Sequence, residues 1–406
     1  MAAHMIACLA LAAILGALAA TAGAAQTQIS TPLSQYHIYA GNTHSHTTNT
    51  WSHGEHYGTP APTTGAVRQK GAKSKVLKPD WRKHQGPPAA HYALAKSSGY
   101  DFYVTADHSQ EAAFQPPSPA NAAWRAAQHD AAAATDRNFV ALAGYEHSEN
   151  DRTNGTCHIN VINSSEYLSA LAPGVDLPFF YQWLPTAVPN GDGPVVASFN
   201  HPAPRGYGNW AYCDPQVTDV LTLLEVINSN NKLHYEAFVN ALDKGWKVSP
   251  VCGNDNHGFW GITHHTSRTF VLATARTKAA ILDAMKHRRT YASLEGNLQC
   301  RYTVNGASMG STLNRPQVFQ FDIAISDPDR DQPADKITRI DLVKDGGAVV
   351  EEHRPAPAHS ISWRPAIHDA TNRFFFVRVW NAGGGDAPGA KPANPVAWLA
   401  PVWTGR

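Results

Sequence analysis

Residues 41–56 read Gly-Asn-Thr-His-Ser-His-Thr-Thr-Asn-Thr-Trp-Ser-His-Gly-Glu-His. A stretch of strand-like composition, 36–40, runs straight into them. On a strand, side chains at i and i+2 share a face. His44 and His46 therefore present two imidazoles to one side at the end of an extended segment. Neutral imidazole is the commonest protein ligand for transition metals. Alone, a His-x-His pair is as well explained by a surface strand. The reading turns on whether the rest of the chain supplies ligands at equivalent positions.

Working outward, the same arrangement recurs. A strand over 100–105 ends in Ala106-Asp107-His108. One over 139–144 ends in Tyr145-Glu146, and a short strand over 157–162 carries His158 near its start. Another over 195–199 ends in Asn200-His201-Pro202, and one over 247–251 leads to Asp255-Asn256-His257. Further strands are predicted over 220–227, with Glu225 inside, and over 269–273. Helices are predicted over 89–98, 120–135, 233–244 and 278–287, the second with Ser118 as N-cap and Pro119 as its first residue. Strands alternating with helices argue for an α/β architecture with a mainly parallel sheet. Polar residues gathered at strand C-termini suit a barrel with its site on that rim. The Pro-, Gly- and Lys-rich segment 58–88 reads as a long loop, placed to act as a lid.

Length and composition set the frame. At 406 residues the chain is long enough for two domains. A net charge of +1 with no basic run argues against a nucleic-acid partner. Residues 5–25 are almost purely apolar and small and end in Ala22-Gly23-Ala24. They read as a cleaved secretory leader, which places the mature chain in the periplasm or outside the cell, with no membrane segment after cleavage. The competing reading is an uncleaved anchor. Cys157, Cys213, Cys252 and Cys300 would allow two disulfides, or remain buried thiols. From about residue 297 the texture becomes short alternating strands, over 319–325, 337–343 and 374–380, separated by Gly, Pro and Asp turns. This predicts an antiparallel β-sandwich over 297–406, following a domain over 32–296 and a leader over 1–25. No concentration of metal-type ligands stands out in that last part.

The candidate ligands are His44, His46, Asp107, His108, Glu146, His158, His201, Asp255 and His257. Singly, each has a structural explanation: a core histidine, a helix cap, an Asx turn. So many at one kind of position do not. Crowded imidazoles are costly when charged, and a bound metal holds them neutral. Mixed His and carboxylate ligation fits Zn²⁺, Mn²⁺ or Fe and not an all-oxygen calcium cage. The set exceeds what one tetrahedral ion uses, which implies two or three divalent ions sharing a bridging carboxylate. Hydrolysis through a metal-bound hydroxide is the natural use.

The ordered motifs Thr-His-Ser-His, Thr-Ala-Asp-His, Gly-Tyr-Glu, Cys-His-Ile-Asn, Asn-His-Pro and Asp-Asn-His resemble the PHP (polymerase and histidinol phosphatase) superfamily over about residues 36–295. The leader, Arg289-Thr290-Tyr291-Ala292 and the appended β domain resemble its exported branch, with carbaryl hydrolase relatives. The resemblance implies a distorted (β/α)7 barrel of PHP type. It implies a first ion on His44, His46, Glu146 and Asp255, with Glu146 bridging to a second on His158 and His201. A third would lie on His108 and His257, helped by a histidine soon after His-x-His, for which His53 and His56 are both candidates. Where the family has Asp before the first His, this chain has Asn42-Thr43. Asp107 would be a ligand or a support to one. Arg205 and His264, just past strand ends, are candidate partners for an anionic ester, and the aromatic residues over 206–212 either line a leaving-group pocket or pack. The implied activity is phosphate mono- or diester hydrolysis. The alternatives are hydrolysis of a carbamate, carboxylic ester or amide on the same centre, and a non-catalytic extracytoplasmic binding protein. The sequence does not give the oligomeric state.

Overall fold

The computed structural model describes residues 33–51, 55, 57–58, 76–149, 157–369, 371–384 and 394–406. Residues 1–25, expected to be a leader, His53, His56 and most of the 58–88 loop lie outside the described residues.

Among the described residues, nine main strands, with a two-residue strand Lys232–Leu233 beside one of them, build the half of the molecule that carries the histidines. They are β1 (His37–Asn42), β2 (Phe102–His108), β3 (Val140–Glu149), β4 (Cys157–Ile162), β5 (Val196–Phe199), β6 (Leu221–Asn228), β7 (Ser249–Cys252), β8 (Arg268–Ala273) and β9 (Thr290–Ser293). β2, β5, β6 and β7 are buried along their whole length, which is why they read as apolar runs without alternation. Helices α1 (Pro88–Ser97), α2 (Ala122–Ala134), α3 (Tyr235–Asp243) and α4 (Lys278–Lys286) fall where they were predicted. One cap differs. Asn121, not Ser118, begins α2, its side chain accepting from Trp124 N at 3.1 Å. Asn121 sits three residues before that orphan amide, while Ser118 Oγ closes a tight turn onto Ala120 N.

The strand order is β7-β6-β5-β4-β3-β2-β1-β8-β9. β1–β2, β2–β3, β5–β6 and β6–β7 are parallel. β4 runs antiparallel to both neighbours because it returns directly from β3. The β7 end curls back onto β1 and β8: Cys252 O accepts from Thr43 Oγ1 at 3.1 Å and Thr269 Oγ1 at 2.8 Å. Beyond it, Asp255 N donates to His44 O and His46 N to Asn256 O, at 3.0 and 2.9 Å. The two ends of the sheet are thus stitched together around His44.

The C-terminal strands are β10 (Gln299–Val304), β11 (Val318–Ser326), β12 (Ile337–Lys344), β13 (Val349–His353), β14 (Ser360–Trp363), β15 (Ala366–His368), β16 (Phe374–Asn381) and β17 (Ala397–Leu399). They are antiparallel, as their alternation predicts, but belong to two sheets. β10, β11, β14 and β15 form a separate one. β17, β16, β12 and β13 continue the large sheet outward from β9, with Tyr291 opposite Leu399. One apolar core joins both sheets: Tyr302, Phe321 and Ile323 pack with Leu342, Phe375 and Val377, and with Phe270 and Tyr291 of β8 and β9.

Cys213, Cys252 and Cys300 are free thiols, the last two buried, so no disulfide joins them. The side chain of Cys157 lies outside the described residues.

Candidate metal centre

His44 and His46 leave the end of β1 side by side, both fully buried. Their Nε2 atoms face each other at 3.1 Å. The other nitrogen of each is already engaged: His44 Nδ1 with Glu225 Oε1 at 2.8 Å, His46 Nδ1 with Thr50 Oγ1 at 3.4 Å. Two imidazoles that converge on their free nitrogens fit a cation between their lone pairs.

Glu146, fully buried on β3, is the hub. Its Oε1 lies 3.1 Å from His158 Nδ1 and 3.4 Å from both His201 Nε2 and His44 Nε2. Its Oε2 lies 2.9 Å from His108 Nε2 and 3.6 Å from His46 Nε2. Asp255 closes the ring, with Oδ1 at 3.0 Å from His46 Nε2. The His257 ring sits 4.2 Å from that of His46. Three overlapping triads have ligand atoms within 4.8 Å of one another: His44, His46 and Glu146; His108, Glu146 and His158; His46, His108 and His257. The donor set therefore fits more than one divalent ion.

The site has a floor and a rim. Side chains of His44, His46 and Glu146 are at most 1% exposed, while those of His158, His201, Asp255 and His257 are 17–22% exposed. Solvent reaches the cluster from the rim. Two rim residues hold left-handed backbones, His201 at φ 31° and Asp255 at φ 47°. Such strain persists only where surrounding contacts over-determine it, and it concentrates at functional sites. Here Glu225 Oε2 accepts from His201 N at 2.7 Å, and His44 O accepts from Asp255 N.

The charges compensate one another. Burial alone would lower His44, but Glu146, Glu225 and Asp255 hold it well above its ordinary value. His108, likewise opposed by burial, is carried up to about 9 by Glu111 and Glu146, and His201 is raised by Glu146 and Asp255. Burial pushes His46 down to about 4, with His108 adding repulsion. Burial would raise Glu146, yet the surrounding imidazoles bring it well below the usual carboxylate range, and Asp255 likewise. At neutral pH the ion-free cluster thus holds protons on His44 and His108 that a metal must displace. Metal uptake at pH 7 is expected to release protons, and affinity to rise with pH up to about 9, where His108 loses its proton unaided. Calorimetric titration of Zn²⁺ or Mn²⁺ in buffers of different ionisation enthalpy reads this directly; a heat independent of buffer contradicts it.

Asp107 is not among these groups. Its carboxylate accepts from Thr47 N at 2.6 Å, Thr47 Oγ1 at 2.7 Å and Thr50 Oγ1 at 2.9 Å. With both oxygens engaged, it fastens the turn that follows His46, and Thr50 passes this on to His46 Nδ1. Arg205 is exposed, on the surface side of its turn. His264 is exposed, stacked on Trp260 and bonded to Thr263 Oγ1 at 2.7 Å, away from the cluster's hydrogen bonds. Of the aromatics of 206–212, Tyr207 and Trp210 pack while Tyr212 is exposed; the buried Tyr207 hydroxyl donates to His158 O at 2.6 Å and Asn200 O at 3.0 Å. Tyr207 stands in a left-handed turn with Gly208, Asn209 and Trp210.

Sequence reading missed three supports. Glu225 orients His44 where the resemblance would place an Asp; a single acid inside an otherwise apolar run was the available signal. Gly253 makes that contact possible, because a Cβ there would lie 1.8 Å from Glu225 Oε1. Lys232 lines, with His201, Pro202, Pro204 and His234, a cleft of about 430 Å³ that opens beside the rim.

No protein-family model matches this sequence, and no curated protein does. Among solved structures, a two-domain protein from Bacteroides vulgatus ATCC 8482, described as containing a predicted PHP-like metal-dependent phosphoesterase, aligns over 91% of this chain and 97% of its own, at 15% identity and TM-score 0.44. PsfC from Pseudomonas syringae PB-5123 aligns over 62% of this chain and 90% of its own, at 14% identity and TM-score 0.36. At these scores neither alignment bears on the fold or the chemistry, which rest on the geometry of the site itself.

Proposed function

We propose that this chain is an exported metal-dependent hydrolase of PHP type that cleaves a small anionic phosphate ester. The observation that carries the reading is Glu146, whose two oxygens face different sets of imidazoles from a fully buried position. A carboxylate so placed suits a bridge between divalent ions.

In this reading His44, His46, Glu146 and Asp255 would hold one ion, and Glu146, His158 and His201 a second. His108 and His257 would hold a third, with His46 beside them. The resemblance to PHP proteins, including the exported branch, supports the same division. Bound divalent ions would supply Lewis-acid polarisation of the ester and acidification of a water. The chain's own residues do the rest. The His44, His46 and Glu146 floor excludes bulk water from below. The rim, with Asp255 braced by His44 O, orients the incoming group. Lys232, which lines the cleft beside His201, is a further candidate partner for the anionic group. Export rests on the leader-like residues 1–25.

A carbamate or carboxylic ester would meet the same cluster, so the discriminating experiment compares bonds. Protein loaded with Zn²⁺ or Mn²⁺ is expected to turn over an aryl phosphate at least ~10-fold faster than the matching aryl carbamate, about 1.4 kcal/mol in the barrier. The reverse order would establish the carbamate reading. No turnover of either, with metal bound, would favour a binding protein.

A further inference from the structure

The loop between β11 and β12, residues 327–335, runs Asp-Pro-Asp-Arg-Asp-Gln-Pro-Ala-Asp. Read along the chain, the stretch is a turn, with nothing to gather its acids. The fold does gather them. One carboxylate oxygen each from Asp327, Asp329 and Asp335 lies within 4.8 Å of the others. Asp327 is 1% exposed, and its Oδ2 has no hydrogen-bond donor among the described residues. Its Oδ1 accepts from Asp329 N at 2.8 Å. His359, whose carbonyl accepts from Asp327 N, is 9% exposed, and neither ring nitrogen is engaged. A buried acid with an orphaned oxygen beside two more acids is costly unless a cation completes it. The cluster also touches the segment that leaves β9: Asn297 Nδ2 donates to Asp329 Oδ2 at 2.8 Å. Burial and mutual repulsion raise the carboxyls of Asp327, Asp335 and neighbouring Glu295 together.

We propose that Asp327, Asp329 and Asp335 form a second metal site, distinct from the histidine cluster and selective for a hard, oxygen-ligated cation of the Ca²⁺ class. The donor chemistry separates the two sites. Ca²⁺ takes about six to eight oxygens, with waters filling what the protein leaves open. A triad of three carboxylates from one loop suits it, whereas the histidine cluster suits Zn²⁺ or Mn²⁺. Through Asn297 the ion would brace the passage from β9 into the C-terminal strands.

The test is a calorimetric titration of the full chain with CaCl₂, paired with thermal denaturation. A single Ca²⁺ is expected to bind and to raise the unfolding temperature. Asp329→Asn and Asp335→Asn should each weaken binding by roughly 10-fold or more. Glu146→Ala should leave it unchanged. Asp329 is exposed, so its variant retains the fold even if that of Asp335 does not. No Ca²⁺ binding, binding that survives both Asp variants, or binding lost in a Glu146→Ala protein that is still folded would overturn the proposal. None of these results depends on whether the histidine cluster hydrolyses esters.

Discussion

Glu146→Ala is expected to remove bound metal and, with it, at least ~100-fold of hydrolytic activity, beyond the usual range for residues that merely support a ligand. The carboxylate lies within 3.6 Å of ring nitrogens from His44, His46, His108, His158 and His201. No other side chain in the cluster reaches as many. Two of the three ligand triads include it, so its loss dismantles both. The effect on stability has the opposite dependence on metal. In ion-free protein, removing a buried carboxylate from among protonated imidazoles costs about 3–5 kcal/mol, because His44 and His108 lose the charge that holds their protons. Elemental analysis reads the first effect and denaturant unfolding of chelated protein the second. Full metal content in a folded Glu146→Ala protein would remove the basis of the proposed function.

The second large effect is expected at Glu225, which touches no substrate. It engages His44 Nδ1 through Oε1, and through Oε2 it accepts from His201 N and Asn228 Nδ2. It thereby fixes the ring orientation of one candidate ligand and the strained backbone of another. Carboxylate–histidine pairs of this kind are worth about 10–100-fold in metal affinity. Glu225→Ala should fall in that range. Glu225→Gln should fall short of it: an amide oxygen can still accept from His44, but its NH₂ would then face the His201 amide. Competition with a chromophoric chelator measures both. Equal affinities in wild type and Glu225→Ala would assign the residue to packing alone.

How much of this was legible beforehand depends on the range over which each feature is determined. Strand and helix positions followed from local burial: the apolar run in β6 and the alternation in β11 are consequences of facing one core or two environments. Ligand candidates followed from their recurrence at strand ends. What was hidden is direction. Asp107 and His108 are adjacent, yet His108 turns toward Glu146 while Asp107 turns into the loop over 47–50. Arg205 and His264 also follow strand ends, but their turns carry them to the surface. Glu225 and Gly253 are neighbours only because β6 and β7 pair. The acids of the 327–335 loop meet only once that loop closes between strands of different sheets.

The large sheet does not stop where the histidine-bearing half ends. β9 hydrogen-bonds to β17, a strand drawn from the last stretch of the sequence, more than a hundred residues later. The C-terminal part is therefore no detachable accessory. A protein ending near residue 296 would leave the fully buried β9 as a naked edge of unpaired amides and carbonyls, an invitation to stick to its own copies. Recombinant study of the histidine cluster by itself is foreclosed by the weave of the backbone.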